Sequence, residues 1–396
     1  MSCETNETSV CIIGLGHRIA SILPDFAAAA PHLAIRGVMD PGTPRVDVLE
    51  KIGAAPAMYD DPAKMLARER PQVIMIGSPN HLHLDHIRLA LESGAEFIFC
   101  EKPVVVSIEE TMALARLIAR HDGRRRLIVG LVLRYSHLYR ALRRAQAEGH
   151  LGEIMSIEAA EHIAPFHGSF FMRDWRRSTA MTGGFMLEKC CHDIDLYQGV
   201  VGRRPRRVAS FGGRKKYVPA HRPAGRPAYL DEKAPRWNGI DDAFSGEADI
   251  VDYQTAIVEY EGGETLAFHT NLNVPDQYRR FAVIGTDGMA EGDFIRNHFR
   301  VTLSETGARV VDAAAVGSGT EDGHYGADAA MARDIVDHIY GRKPDLPLSV
   351  IDALESGLTA MAMDKARNEG RVVDMRPIWE RFDRELAGAP AAAEAS

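Results

Sequence analysis

Long apolar runs are missing from this sequence of 396 residues. The longest, such as Leu127 to Leu133, fall far short of the ~18 residues that cross a bilayer, so no membrane span is expected. The opening Met-Ser-Cys-Glu-Thr-Asn-Glu has acids where an export signal would carry Lys or Arg, and no export is expected. Cysteine is sparse. The five, Cys3, Cys11, Cys100, Cys190 and Cys191, are odd in number and lack zinc-ribbon spacing, which suits a reduced cytoplasm. A basic excess is also missing: Lys plus Arg number 47 against 55 Asp plus Glu, a formal charge of −8. That argues against a general nucleic-acid binder, which needs cations for phosphates. The remaining balance, 45% apolar and 7% aromatic, describes a soluble globular chain long enough for two or three domains and a large core.

From Val10 to about Leu133, short β-branched runs alternate with amphipathic stretches of helical length, the pattern of βαβ units on a parallel sheet. Strands are expected at Val10–Ile13, Ala34–Met39, Ala57–Tyr59, Val73–Gly77, Phe97–Cys100 and Leu127–Leu133. Ser107 and Glu110 form a capping-box pattern before the Met112, Ala115, Ala119 stripe. Residues 1–133 therefore read as a doubly wound α/β domain. Beyond Arg134 the texture changes: one helix near Tyr139–Glu148 gives way to strands near 154–160, 207–211, 256–260, 265–270, 280–284 and 299–303, with turns at Gly262-Gly263 and Asp287-Gly288. Residues 134–385 read as an α+β domain with a large open, mainly antiparallel sheet, closed by helices near 327–340 and 351–369. Lys215 to Ala243 holds four prolines and little periodicity and reads as a long loop. The Ala/Pro segment 386–396 reads as a disordered tail.

The chemistry begins at Gly14-Leu15-Gly16, which follows the first strand and opens a helix at His17-Arg18. Backbone N–H groups there can meet a pyrophosphate at the helix N-terminus. The third glycine of the full fingerprint is absent, with Ile19 in its place. Asp40 ends the second strand, where a carboxylate accepts hydrogen bonds from ribose hydroxyls and repels the extra phosphate of NADP, so NAD is favoured; the plainer reading is an aspartate capping the Pro41-Gly42 turn. Two further segments, Ser78-Pro79-Asn80-His81-Leu82-His83 and Cys100-Glu101-Lys102-Pro103, lie at carboxyl ends of strands, where open α/β sheets bind ligands.

Together these segments resemble the family of glucose-fructose oxidoreductase, inositol dehydrogenase and MocA-like proteins, over most of the chain. The resemblance implies an N-terminal Rossmann domain and a C-terminal domain that carries substrate and joins copies into a homodimer or homotetramer. It implies that Pro-Asn-x-x-His and Glu-Lys-Pro signatures, here Pro79, Asn80, His83, Glu101, Lys102 and Pro103, line the cofactor and reaction site. Candidate cofactor contacts are thus Gly14, Leu15, Gly16, His17, Arg18, Asp40, Ser78, Asn80, His83, Glu101 and Lys102. In the second domain, Gly183-Gly184 runs into Glu188, His192 and Asp195, similar to the family's Asp-x-x-x-His-x-x-Asp helix with Glu188 for aspartate and Cys190 for glycine. Their spacing puts all three on one helix face. A His oriented by a carboxylate suits general base catalysis.

Blander readings compete at several positions. His81, His83 and His86 lack a completing carboxylate or thiol set, so no metal is expected. Cys190-Cys191 reads as packing, and the basic runs at 124–126, 203–207 and 214–216 as solvated loops. Trp175 and Arg176 face substrate, a partner subunit or merely the core. With Arg134 and Asp195 they are the candidate substrate contacts. Lys102 could be a surface lysine, but Pro103 biases it toward extended backbone at the sheet's carboxyl edge.

These readings converge on an NAD-dependent oxidoreductase that transfers a hydride between nicotinamide and a secondary alcohol of a sugar, polyol or glycoside. His192 is the base, Lys102 the cation for the developing alkoxide, and Glu188 the group that tunes His192. Two alternatives stay open: an NAD-dependent glycosidase working by transient ring oxidation, elimination, water addition and re-reduction, and a silent dinucleotide sensor. The Asp40 reading has a direct check. Titration of both cofactors should show tighter binding of NAD than NADP, and Asp40→Ala should weaken NAD and narrow the preference.

Overall fold

The computed structural model describes residues 7–42, 44–313 and 324–388. These residues form two compact units, one drawn from 7–132, 328–354 and 377–388, the other from 133–313, 324–327 and 355–376. In the first unit, β1 (Thr8–Ile13), β2 (Leu33–Met39), β3 (Ala57–Tyr59), β4 (Val73–Ile76), β5 (Phe97–Cys100) and β6 (Leu127–Val129) form a six-stranded sheet in the order β3-β2-β1-β4-β5-β6. Every pairing is parallel. The runs Val73–Ile76 and Phe97–Cys100 are apolar throughout because helices cover both faces of such a sheet. The crossovers hold α1 (His17–Ala29), α2 (Val46–Lys51), α3 (Pro62–Glu69), α4 (His83–Glu92), α5 (Ile108–Arg120) and α6 (Gly123–Arg126). Ser107 caps α5 by accepting from Glu110 N at 3.1 Å, while the Glu110 carboxylate accepts from Val106 N at 2.9 Å; such a cap is worth about 1 kcal/mol.

Strand order reverses between β1 and β4, and the turns that follow them define the ligand crevice of this architecture. Gly14 has φ +86°, and a Cβ there would lie 2.5 Å from Ser78 N, so only glycine lets the two turns meet. Ile19, at the missing-glycine position, is fully buried. It fits because the opposing residue is Gly77, where any Cβ would collide with Ile19 Cγ1. The small residue that lets helix approach strand sits on the strand instead of the helix.

The second unit runs through α7 (His137–Ala147), β7 (Ile154–His162), α8 (Pro165–Arg173), α9 (Thr179–Thr182), α10 (Phe185–Glu188), α11 (Cys191–Val201), β8 (Pro205–Gly213), β9 (Tyr253–Tyr260), β10 (Thr265–Asn271), β11 (Tyr278–Gly285), β12 (Gly288–Asp293), β13 (His298–Leu303) and β14 (Arg309–Ala313). Then follow α12 (Ala327–Ile339), α13 (Val350–Glu369), β15 (Val373–Asp374) and α14 (Arg376–Leu386). The nine-stranded sheet has the order β14-β13-β12-β11-β7-β10-β9-β8-β15. Only β7 and β10 pair in parallel; the rest are antiparallel. A parallel pair needs a long crossover, and four helices lie between these two strands.

The architecture matches the α/β expectation, with local differences. β6 ends at Val129 rather than Leu133, because Gly130 carries the Glu101 carboxylate where a Cβ would lie 2.9 Å from Oε1. Strands β12, β14 and β15 escaped the pattern: β12 reads Gly-Met-Ala-Glu-Gly-Asp, of poor strand propensity, and is held by β11 and β13 on either side. Helices α8 and α14 were also unforeseen. Of the tail expected over 386–396, Leu386 instead ends α14 and 387–388 form a turn, while 389–396 lie outside the described residues. Segments 328–354 and 377–388 belong to the first unit, whereas a continuous second domain over 134–385 was expected. Long-range contacts decide this: Thr8 Oγ1 donates to the Tyr340 hydroxyl at 3.2 Å, Phe97 meets the His338 ring at 5.8 Å, and Arg116 pairs with Glu385 at 3.1 Å.

The Ile19–Gly77 fit gives a stability test. Gly77→Ala should destabilise the chain by about 1–3 kcal/mol through overpacking, and Ile19→Ala by about 2–5 kcal/mol through a cavity. Urea unfolding of the double variant should show little more loss than Ile19→Ala alone; strict additivity would remove the argued contact.

Candidate active site

The first unit assembles its candidates on the strand-end turns. Gly16 is the N-cap of α1 and offers no capping side chain, and a Cβ there would find nothing nearer than Gly77 O at 3.8 Å. Open backbone at the N-terminus of a 13-residue helix suits a pyrophosphate. Leu15 is buried and His17 exposed beside it. Asp40 Oδ1 accepts from Gly42 N at 2.9 Å, so the turn-capping reading describes one of its oxygens. The backbone turn at Gly14 and Gly16 and the Asp40 carboxylate are the groups whose chemistry suits a dinucleotide.

Arg18 is committed elsewhere. It donates to Asp328 at 2.7 and 2.9 Å and to Glu101 Oε1 at 3.1 Å. Although burial opposes the charge, Glu101 and Asp328 hold this guanidinium well above its ordinary range. Glu101 is buried, which pushes its carboxyl up against the pull of Arg18. Lys102, half-buried, follows directly, with its N–H 3.3 Å from Glu101 Oε2. His83 is fully buried, its Nδ1 2.8 Å from Pro103 O and its Nε2 2.8 Å from Ser78 O. It ties the turn after β4 to the turn after β5 and so fixes the backbone around Lys102. Ser78 Oγ lies 2.8 Å from His86 Nδ1, and Asn80 is buried.

The second unit holds the rest. The Gly183-Gly184 pair has φ +77° and +98°, and a Cβ on Gly184 would meet Asp364 Oδ2 at 2.5 Å, so glycine is needed where the chain turns into α10. The expectation that Glu188, His192 and Asp195 share one helix needs correction. α10 ends at Glu188 and α11 starts at Cys191, with Lys189 and Cys190 between. The reason is electrostatic: Arg176 donates to Glu188 Oε1 at 2.6 Å, while Lys189 pairs with Glu161 Oε1 at 2.9 Å in another direction. Asp195 is claimed by Arg134, which donates to it at 2.8 and 2.7 Å in a buried bidentate pair. His192 is buried, with its ring centre 6.0 Å from that of His324. Arg176 also binds Asp174 Oδ1 at 2.8 Å and stacks over Trp175 at 4.3 Å.

Beneath His192 lies a cluster that sequence reasoning missed. Arg279 of β11 donates to Asp193 at 2.8 and 2.6 Å and pairs with Glu161 of β7 at 2.9 Å. The signal was present: Arg279 shares the period-two inward face of β11 with Phe281 and Val283, and Glu161 that of β7 with Ala159 and Ile157. Asp328 and His324 had no comparable sequence signal. Burial raises the thiols of Cys100 and Cys190 far above their usual value, and Cys191 is buried too. No group of His, Cys, Asp and Glu able to hold a metal occurs among the described residues, and none of their helices is long and apolar enough to cross a membrane.

Residues 8–131 match the model of an oxidoreductase family with an NAD-binding Rossmann fold, and residues 144–375 match its C-terminal alpha/beta domain. The Bacillus subtilis (strain 168) protein YteT is 22% identical over 93% of this chain and 97% of its own length. D-glucoside 3-dehydrogenase of Escherichia coli (strain K12) is 32% identical over 49% of this chain and 54% of its own. The crystal structure of scyllo-inositol dehydrogenase from Lactobacillus casei with bound NAD(H) and scyllo-inositol superposes with a TM-score of 0.71 at 20% identity, covering 94% of this chain and 100% of that one.

One lysine stands out electrostatically in the second unit. Burial, then the like charges of Arg236, Lys189 and Arg176, push the Lys233 ammonium down to about 8. Pulsed acetylation read by mass spectrometry should give Lys233 a labelling midpoint near pH 8, roughly two units below the ~10.4 of solvated lysines. A midpoint at the ordinary value would show that the ammonium is fully hydrated.

Proposed function

This chain belongs to the Gfo/Idh/MocA oxidoreductase family, with its NAD-binding Rossmann domain, and from that premise we propose that it oxidises a secondary alcohol of a sugar or polyol. Bound NAD would supply the hydride acceptor. The observation that carries the reading is the setting of Lys102. Its backbone is fixed between Glu101, tied to Arg18, and Pro103, held by His83, so a cation stands at the carboxyl end of β5. Its Nζ stabilises the alkoxide oxygen as charge develops. His192 takes the hydroxyl proton at an imidazole nitrogen. In the same unit as His192, Glu188 is held by Arg176 and Asp195 by Arg134. The names of the D-glucoside and scyllo-inositol dehydrogenases support the substrate class. Exposed Phe211 and Ile257 on the outer sheet face are where we expect copies to associate.

A screen of sugars, polyols and glycosides that follows both nicotinamide absorbance and release of a glycosidic leaving group tests the proposal. Net reduction of NAD supports the dehydrogenase; aglycone release without net reduction would support the glycosidase instead. On any substrate found, Lys102→Met should lower kcat by about 10²-fold or more while NAD still binds. His192→Asn should lower it by about 10²–10⁴-fold, with partial recovery at high pH as hydroxide replaces the base. Full turnover in Lys102→Met would end the catalytic reading and favour a sensor.

A further inference from the structure

Several buried or half-buried cations of the second unit are paired with carboxylates, among them Arg134, Arg176, Lys189 and Arg279, whereas Lys233 is not. It is half-buried in the loop between β8 and β9, and its Nζ forms no ion pair with a described carboxylate. That Nζ lies instead 4.3 Å from the centre of the Phe170 ring, with Arg236 Cζ 5.2 Å from the same ring. The loop is fixed in this pose. Arg173 Nη2 donates to the carbonyls of Leu230 and Lys233 at 2.8 Å each, Ile240 N donates to Arg173 O at 2.8 Å, and Arg236 N donates to Asp174 Oδ2 at 2.9 Å. Nearby positive charge is already spent: Arg176 on Glu188 and Asp174, and Lys189 on Glu161. A partly desolvated ammonium among like charges is unfavourable, and an anion brought to it relieves both desolvation and repulsion. On the same loop, Trp237 packs on Trp175 with ring centres 6.5 Å apart and is 55% exposed, an open aromatic face.

We propose that Lys233 anchors an anion-binding subsite on this loop, and that the substrate is a sugar or polyol carrying an acidic group, a carboxylate or a phosphate. The inference rests on the oxidoreductase reading for the word substrate; the subsite itself does not. It assigns a purpose to the long loop: Lys233 reads the charge, while Trp237 covers the carbon skeleton next to it.

Calorimetric titration of the full chain saturated with NAD decides the matter, using glucuronate and galacturonate as carboxylate probes, glucose 6-phosphate as the phosphate probe, and glucose and myo-inositol as neutral ones. At least one acidic probe should bind about tenfold or more tighter than the neutral ones, and the better acidic arm names the source of the charge. Lys233→Met should remove that preference, Lys233→Arg should keep most of it, and NAD affinity should stay the same in both. The acidic probe should also slow acetylation of Lys233. Equal binding of acidic and neutral probes by the unaltered chain overturns the subsite, as does an acid preference that survives Lys233→Met. The two readings fail separately. Lys102-dependent oxidation of a neutral polyol with no acid preference removes the subsite and leaves the oxidoreductase standing. Lys233-dependent acid binding without any NAD reduction does the reverse.

Discussion

A guanidinium with almost no exposure, that of Arg279, holds the second unit's functional helix in place. It lies against Asp193 and Glu161, and Glu161 in turn holds Lys189, so two cations and two anions form a neutral buried group. Removing one member of such a group leaves an uncompensated charge and costs about 3–5 kcal/mol, more than the group adds over well-packed apolar side chains. The arrangement is therefore stiff more than it is stabilising. Arg279 and Glu161 face each other across paired strands, and Asp193 and Lys189 bracket His192 in the chain. With neighbours on both sides pinned to a sheet, the His192 backbone has little freedom, and the break between α10 and α11 is where the chain accommodates those two anchors.

The first unit uses the same solution with different parts. Arg18 lies between Glu101 and Asp328, and the residue after Glu101 is Lys102. In each unit an arginine from one element fixes a carboxylate adjacent or nearly adjacent to the residue argued to do chemistry. Buried charge of this kind is a poor way to gain stability and an effective way to fix direction, since a bidentate guanidinium leaves a carboxylate one orientation.

Much of this was legible in the sequence. Parallel strands announce themselves as short apolar runs, and β3 and β5 were found to the residue because turns bound them closely. The glycine turn, the Glu-Lys-Pro segment and the Gly-Gly turn carry local backbone requirements, and local requirements leave local marks. What stayed hidden depends on distant partners. The single helix expected through Glu188 and His192 was sound by spacing, yet Arg176 and Glu161 pull the two sides apart. β12 has little strand character of its own and exists because two neighbours supply its hydrogen bonds. Arg279 and Glu161 sat in plain periodicity on inward faces, where a charge signals that an opposite charge must be close.

The union of separate chain segments in the first unit also has consequences in time. Asp328 follows Arg18 by 310 residues, and at the ~5–20 residues per second of ribosomal synthesis roughly 15–60 s pass between the two. During that interval the sheet and its first six helices can assemble, but the Arg18–Glu101 pair lacks its second carboxylate, and the surfaces later covered by α12 and α14 face water. The first unit to begin folding is therefore among the last to finish. A nascent chain stalled before residue 328 would display a dinucleotide fold with an open flank, a natural target for chaperones and for the quality-control proteases that follow them.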